Sequence, residues 1–146
     1  MLPASRDFLD LRERALALHE FRAGARWDDL VTVFSRPSNL ARKLPPEAAG
    51  GAEDGGVLPF LFQSDAEPVL FAAWLEAAGR VGPAIEAHQY GEALDALAGL
   101  RPAIDRYFDD VLVMAEDEAV RINRLRQLAA IAATVRNVAW LELLQG

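Results

Sequence analysis

Apolar residues recur along this chain at intervals of three and four, the spacing that gathers them on one face of an α-helix. Phe8, Leu11, Ala15, Leu18 and Phe21 form the first stripe. Ser5 offers a capping hydroxyl ahead of it, Asp7 falls in its first turn, and Gly24 marks its end. Leu30, Val31, Val33 and Phe34 predict a second helix from Trp27 and Asp28. Pro37 is expected to cut or kink it, leaving Ser38 to Lys43 as a separate turn. A third helix, with Leu70, Phe71, Trp74, Leu75 and Ala78, follows a cap at Ser64 or Asp65. It is expected to break at Arg80-Val81-Gly82-Pro83 and continue to His88. Gly91 restarts a helix bearing Leu94, Leu97 and Leu100. Pro102 fits the first turn of the next, which carries Ile104, Tyr107, Phe108 and Val111. The last helix is predicted from about Asp117 to Leu144.

Sustained alternation of β-branched and polar residues, the mark of strands, is missing from the sequence. The pattern therefore predicts an all-α protein, a single bundle of about five to seven helices over residues 1–146. Residues 45–63 interrupt it. Pro45, Pro46, Gly50, Gly51, Gly55, Gly56 and Pro59 among acids predict a loop that is mobile in its middle. Phe60, Leu61 and Phe62 are expected to tack the end of that loop onto the core.

On the last helix, successive residues turn by about 100°. Leu125, Leu128, Ala132, Val135 and Ala139 then share one face, with Val120, Ile131 and Val138 beside it. So wide an apolar arc predicts a helix in the middle of the bundle. Glu116, Asp117 and Glu118 stand at its start, opposite the partial positive charge of a helix N-terminus. Arg121 and Arg124 extend the apolar arc towards that end. Two inward guanidinium groups need partners. Either they pair with Asp105, Asp109 or Asp110 of the preceding helix, or they face a phosphate or an exposed base at an open end of the bundle.

Charge narrows the reading further. A net charge of −7 and a pI near 4.8 argue against binding nucleic acid through bulk electrostatics, yet leave room for a local basic patch. Arg36, Asn39, Arg42 and Lys43 crowd into one short segment of this kind. For Arg42 and Lys43 the alternative is a solvated pair complementing a helix C-terminus. With no cysteine, disulfides and thiolate metal sites are excluded. His19 and His88 lie far apart and lack metal-ligand spacing. Asp28-Asp29 and Asp109-Asp110 diverge around a helix, and Gly50-Gly51 and Gly55-Gly56 sit among acids that repel a triphosphate. No catalysis is expected from these residues. The N-terminal stretch, with acids among its apolar residues, reads as neither signal peptide nor membrane span, which makes the cytoplasm the expected location.

The stretch RPAIDRYFDDVLVMAEDEAVRINRLRQL, Arg101 to Leu128, closely resembles the C-terminal anticodon-binding module of bacterial glycyl-tRNA synthetase beta subunits, chiefly through residues from Asp105 to Leu125. That module is named for an Asp-Ala-Leu-Arg (DALR) motif shared with arginyl-tRNA synthetases. A weaker likeness runs through Leu11, Arg14, Ala17, Leu18 and Phe21. It resumes at Val33-Phe34-Ser35-Arg36-Pro37-Ser38-Asn39-Leu40, similar to the family's Lys-Arg-Val-x-Asn-Ile stretch. Ser35 and Pro37 depart from it by removing a cation and adding a helix breaker, Val120 stands for the usual Leu, and residues 45–63 match poorly. The arginyl module lacks the full run from Asp109 to Ala119, so the glycyl beta subunit is the better match.

The resemblance implies a DALR-type fold that grips the anticodon arm of the tRNA for glycine. It implies a fragment of a longer beta subunit, in an alpha2beta2 class II glycine–tRNA ligase whose active site lies in the alpha subunit. ATP and magnesium would serve the full synthetase, with no cofactor in this segment. The implied tRNA contacts are Arg36, Asn39, Arg42, Lys43, Arg121 and Arg124. A helical protein–protein interaction module is the alternative, suggested by the acidic charge and by Tyr90-Gly91-Glu92-Ala93-Leu94, which is similar to a helical-repeat turn. The equivalent arginyl-tRNA synthetase module is another.

Overall fold

The computed structural model describes residues 4–49 and 55–139, with side chains from residue 12 onward. The cap expected at Ser5, the stripe positions Phe8 and Leu11, the middle of the 45–63 loop and the stretch from 140 to Leu144 lie outside those residues and side chains. The described chain is all-α. It comprises α1 (Ala4–Arg22), α2 (Trp27–Ala41), α3 (Ala66–Glu86), α4 (Tyr90–Ala98), α5 (Arg101–Asp110) and α6 (Glu118–Val138), with short 3-10 turns at Pro46–Ala48 and Pro59–Leu61.

Helix α6 occupies the middle, as its wide apolar arc requires. Val120, Leu125, Leu128, Ile131, Ala132, Val135 and Val138 are all buried, and α6 packs chiefly on α2 and also on α3 and α4. Asp117 caps it, Oδ1 accepting from the Val120 N–H at 3.2 Å. The two main partners run antiparallel. The Arg136 guanidinium lies 5.6 Å from the Phe34 ring at one end, and Arg126 reaches the Ala48 carbonyl beyond the other. Helix α3 packs against α4 and α5, and α1 against α4. Trp74 of α3 ties to α6 by donating to Thr134 Oγ1 at 2.9 Å.

Two expected helix breaks do not occur. Helix α2 runs through Pro37, and α3 runs through Gly82-Pro83 to Glu86. An interior proline costs about 3 kcal/mol through its missing N–H and its ring. At Pro37 that cost is offset by burial, because Leu30, Val33, Phe34 and Pro37 itself form the inward face. At Pro83 the carbonyl left without a donor belongs to Gly79, which is exposed to water. Helix α3 ends at Glu86, and the chain turns just beyond it at His88, whose φ of +59° is left-handed. There the Gln89 N–H returns to the Ala84 carbonyl at 2.7 Å and the His88 N–H to that of Ile85 at 3.0 Å.

The end of the 45–63 loop is docked differently from expectation. Phe60 does not tack it down: it is 80% exposed. Val57 is buried, Phe62 packs edge-on against Phe71 at 5.8 Å, and α6 holds the backbone. Arg126 donates to the carbonyls of Ala48 and Gly56 at 2.7 and 3.3 Å. Asn123 takes both the N–H and the carbonyl of Leu58, at 2.7 and 3.1 Å. Gly55 has a φ of +69°, and a Cβ there would sit 2.8 Å from Ala130 Cβ. Gly55→Ala is therefore expected to lower unfolding free energy by about 1–2 kcal/mol, measured by urea denaturation.

Candidate nucleic-acid interface

Six residues were singled out by sequence for RNA contact, and the structure divides them. Arg124 is 6% exposed and faces inward. Its Nε donates to Glu67 Oε1 at 3.0 Å and its Nη2 to Glu67 Oε2 at 3.3 Å. Nη1 donates to the Leu112 carbonyl at 2.7 Å, and Nη2 also to Gln63 Oε1 at 3.5 Å. Neither Asp105, Asp109 nor Asp110 is its partner. Glu67, from the first turn of α3, is 2% exposed and accepts in addition from the N–H groups of Gln63 and Ser64, at 2.7 and 3.0 Å. Burial alone would raise the Glu67 carboxyl's pKa. The Arg124 hydrogen bond and charge, with the two backbone N–H groups, outweigh that and hold it below its ordinary value. Arg124 thus fastens α6 to the start of α3 and to the α5–α6 loop, and no surface is left for RNA.

Close by, Tyr107 of α5 is buried, and burial together with the neighbouring Glu67 charge pushes its pKa up, so it stays a neutral phenol. Arg121 is held by the loop before α6, donating to the Ala115 and Glu116 carbonyls at 3.0 and 3.4 Å. It is half-buried, without a carboxylate partner among the described residues. Sequence reasoning missed Glu67, although Ser64-x-x-Glu67 is the spacing of a helix capping box. It also missed Asn123 and Arg126, whose long polar side chains on a central helix need buried partners.

Arg36 does meet Asp105, the partner expected for the α6 arginines. The two are 3.0 Å apart, and the Arg36 guanidinium lies 4.4 Å from the Phe108 ring. Asp105 also receives Arg101 at 3.5 Å. Arg101 bonds Asp29 at 3.0 Å, and Arg26 bridges Asp29 and Asp95. This chain of ion pairs laces α2, α4 and α5 together, and each member is more than a third exposed, so any single link is worth little. Arg106 sits 3.6 Å from Asp110, and the exposed His88 ring lies 2.8 Å from Glu13.

The remaining candidates stay together at the C-terminal end of α2. Asn39, Arg42 and Lys43 are all exposed. Arg42 donates to Asn39 Oδ1 at 3.1 Å, and among the described residues neither Arg42 nor Lys43 has a carboxylate partner. Two cations of one sign therefore project into water on a chain that is acidic overall. The Ala48 carbonyl, five residues beyond Lys43, and the Gly56 carbonyl, four before Phe60, meet on Arg126. The cationic end of α2 and the segment bearing Phe60 accordingly share one end of the bundle. No described helix is long and apolar enough to cross a membrane.

Comparison with known proteins agrees with this architecture. Residues 32–144 match the family model described as the DALR anticodon binding domain. The chain is 40% identical over 133 residues to the glycine–tRNA ligase beta subunit of Desulforudis audaxviator, covering 91% of this chain and 18% of that protein. Against the beta subunit of Desulforapulum autotrophicum it is 41% identical over 126 residues, 86% of this chain and 18% of the relative. Against that of Cereibacter sphaeroides the figure is 36% over 146 residues, 99% and 21% of the two chains. The chain thus spans about a fifth of the length of the curated relatives it matches. With the helical fold and this match over most of its length, the chain belongs to the DALR anticodon-binding domain family.

Proposed function

We propose that this chain recognises the anticodon arm of the tRNA for glycine, as the DALR module of a glycine–tRNA ligase beta subunit. The observation that carries the proposal is the match to beta subunits over some nine-tenths of the chain, 91% in one case. The exposed cations at the end of α2 support it. On this reading the module binds and orients RNA, while aminoacylation belongs to the alpha subunit of a class II alpha2beta2 enzyme. Phosphates hold such a complex in register, and the bases supply its specificity.

Arg42 and Lys43 are the residues best placed to meet the RNA backbone, with Asn39 and the outer edge of Arg36 beside them. Arg42→Ala with Lys43→Ala removes two exposed charges and leaves the core untouched. It is expected to weaken binding of glycine tRNA by about tenfold at moderate salt. The slope of log K against log salt should fall by about 1.4, at roughly 0.7 per lost phosphate contact on a single strand. Filter binding across a salt series measures both. An unchanged slope would remove these residues from the interface, and equal affinity of the unaltered chain for unrelated tRNAs would remove anticodon recognition. Arg124 is unsuited to such a test, because replacing it alone leaves the buried Glu67 carboxylate without its partner and changes stability as well as charge.

A further inference from the structure

Phe60 stands 80% exposed on a segment that is otherwise firmly held. The segment is fixed on one side of it by the Asn123 clamp on Leu58 and by buried Val57, and on the other by Phe62 against Phe71. A mobile loop tip can leave a phenyl ring in water by accident. A pinned one holds it there at a constant position, although its burial would favour folding. Beside it the Leu58 and Leu61 side chains open onto a cleft of about 570 Å³ against the first turns of α6, floored by Ile122 and edged by Asp117, Glu118 and Arg126. That volume falls within the range of about 300–1,000 Å³ usual for small-ligand sites. The lining combines an apolar floor with hydrogen-bond acceptors and donors at its rim. An unstacked nucleobase has matching chemistry, two apolar faces and an edge of donors and acceptors.

We infer that Phe60 is a stacking platform for one unpaired base of the bound RNA, with the Leu58–Leu61–Ile122 cleft receiving that base or its neighbour. The inference rests on the proposed RNA-binding role and adds to it a named contact by a different force. The cations at the end of α2 stand at the same end of the bundle, so a strand whose phosphates meet Arg42 and Lys43 can direct bases towards Phe60. The carboxylates of Asp117 and Glu118 repel phosphate and accept from exocyclic amino groups, which turns the base rather than the backbone to this cleft.

The experiment compares the unaltered chain with Phe60→Ala, Phe60→Tyr and Phe60→Trp, titrated with a glycine tRNA transcript. A second transcript carries a fluorescent purine analogue at each anticodon-loop position in turn. Stacking on an aromatic side chain contributes about 1–3 kcal/mol per base, so Phe60→Ala should weaken binding by about fivefold to 150-fold. The salt slope should not change, since no charge is lost. Tyr and Trp should restore affinity, and the analogue at one position should lose its quenching only in Phe60→Ala. If the unaltered chain prefers no glycine tRNA, both the recognition proposal and this inference fall. If it does, and Phe60→Ala binds equally well with quenching intact, only the stacking role is overturned, leaving Phe60 to contact another protein surface.

Discussion

Glu67→Ala is expected to lower the unfolding free energy by about 3–5 kcal/mol, because it strands a buried guanidinium. Arg124 is 6% exposed and, among the described residues, pairs with no other carboxylate, so its charge would remain in the interior with two carbonyl-type acceptors. The N–H groups of Gln63 and Ser64 would lose their acceptor as well. Urea denaturation of the single variant should show the loss as a lower midpoint at an unchanged slope. A double variant, Glu67→Leu with Arg124→Met, removes both charges together and should recover much of that stability, since a buried ion pair contributes little beyond an apolar pair of similar size. If Glu67→Ala cost under 1 kcal/mol, the pair would have to be accessible to water, contrary to its burial.

The same pair sets an acid limit. Glu67 titrates below its ordinary value of 4.5 in the folded chain and near that value when unfolded. The unfolded state therefore takes up the proton first as pH falls, and folding loses the contribution progressively below 4.5. Above that value the contribution is complete. In Glu67→Leu, Arg124→Met the slope of stability against pH below 4.5 should be shallower than in the unaltered chain.

Arg124 also shows where the reading of the sequence stopped. Periodicity located it on the inward arc of the last helix, and the cost of an unpaired buried charge required a partner. The acids of the preceding helix, Asp105, Asp109 and Asp110, were the natural candidates, but the partner is 57 residues away. Linear spacing reports which face a residue occupies on its own helix. It is silent on which helix packs opposite, and that decided the case. The helices were legible for the converse reason, because an apolar stripe is a local signal. Pro37 and Pro83 misled because the local penalty of proline is smaller than what a continuous helix face recovers by packing. Phe60 misled differently. Apolar residues are usually inside, but the rule does not hold residue by residue, and a single exposed aromatic carries information only once its surroundings are known to be rigid.

Of the candidate interface, the short run Arg36 to Lys43 was legible as a concentration of cations, and among the described residues Arg42 and Lys43 meet no carboxylate, while Arg36 pairs with Asp105. The Leu58–Phe60 segment was not legible, because it is positioned by Asn123 and Arg126 on a helix more than sixty residues later. Among these anchors, the Asn123 amide on α6 is the one that holds the Leu58 backbone directly.

Asn123→Ala should destabilise the chain by about 1–2 kcal/mol, the cost of leaving the Leu58 backbone groups without their protein partner at a part-buried site. Asn123 itself is 2% exposed, at the edge of the cleft. Asn123→Asp separates its two roles. The carboxylate keeps an acceptor for the Leu58 N–H but turns the donor facing the Leu58 carbonyl into a second acceptor, and it buries a charge. Burial and the opposing carbonyl raise such a carboxyl's pKa. The variant should therefore be weakest at neutral pH and approach the unaltered chain as pH falls and the carboxyl regains a proton to donate. Urea titrations at pH 7 and pH 5, both above the range in which Glu67 contributes less, test that sign. Because the clamp fixes Phe60, and because Asn123 also lines the cleft beside it, a folded Asn123→Ala should lose RNA affinity by a factor at least close to that of Phe60→Ala. If it unfolded no more easily and bound RNA normally, the segment would owe its position to Val57 and Phe62 instead.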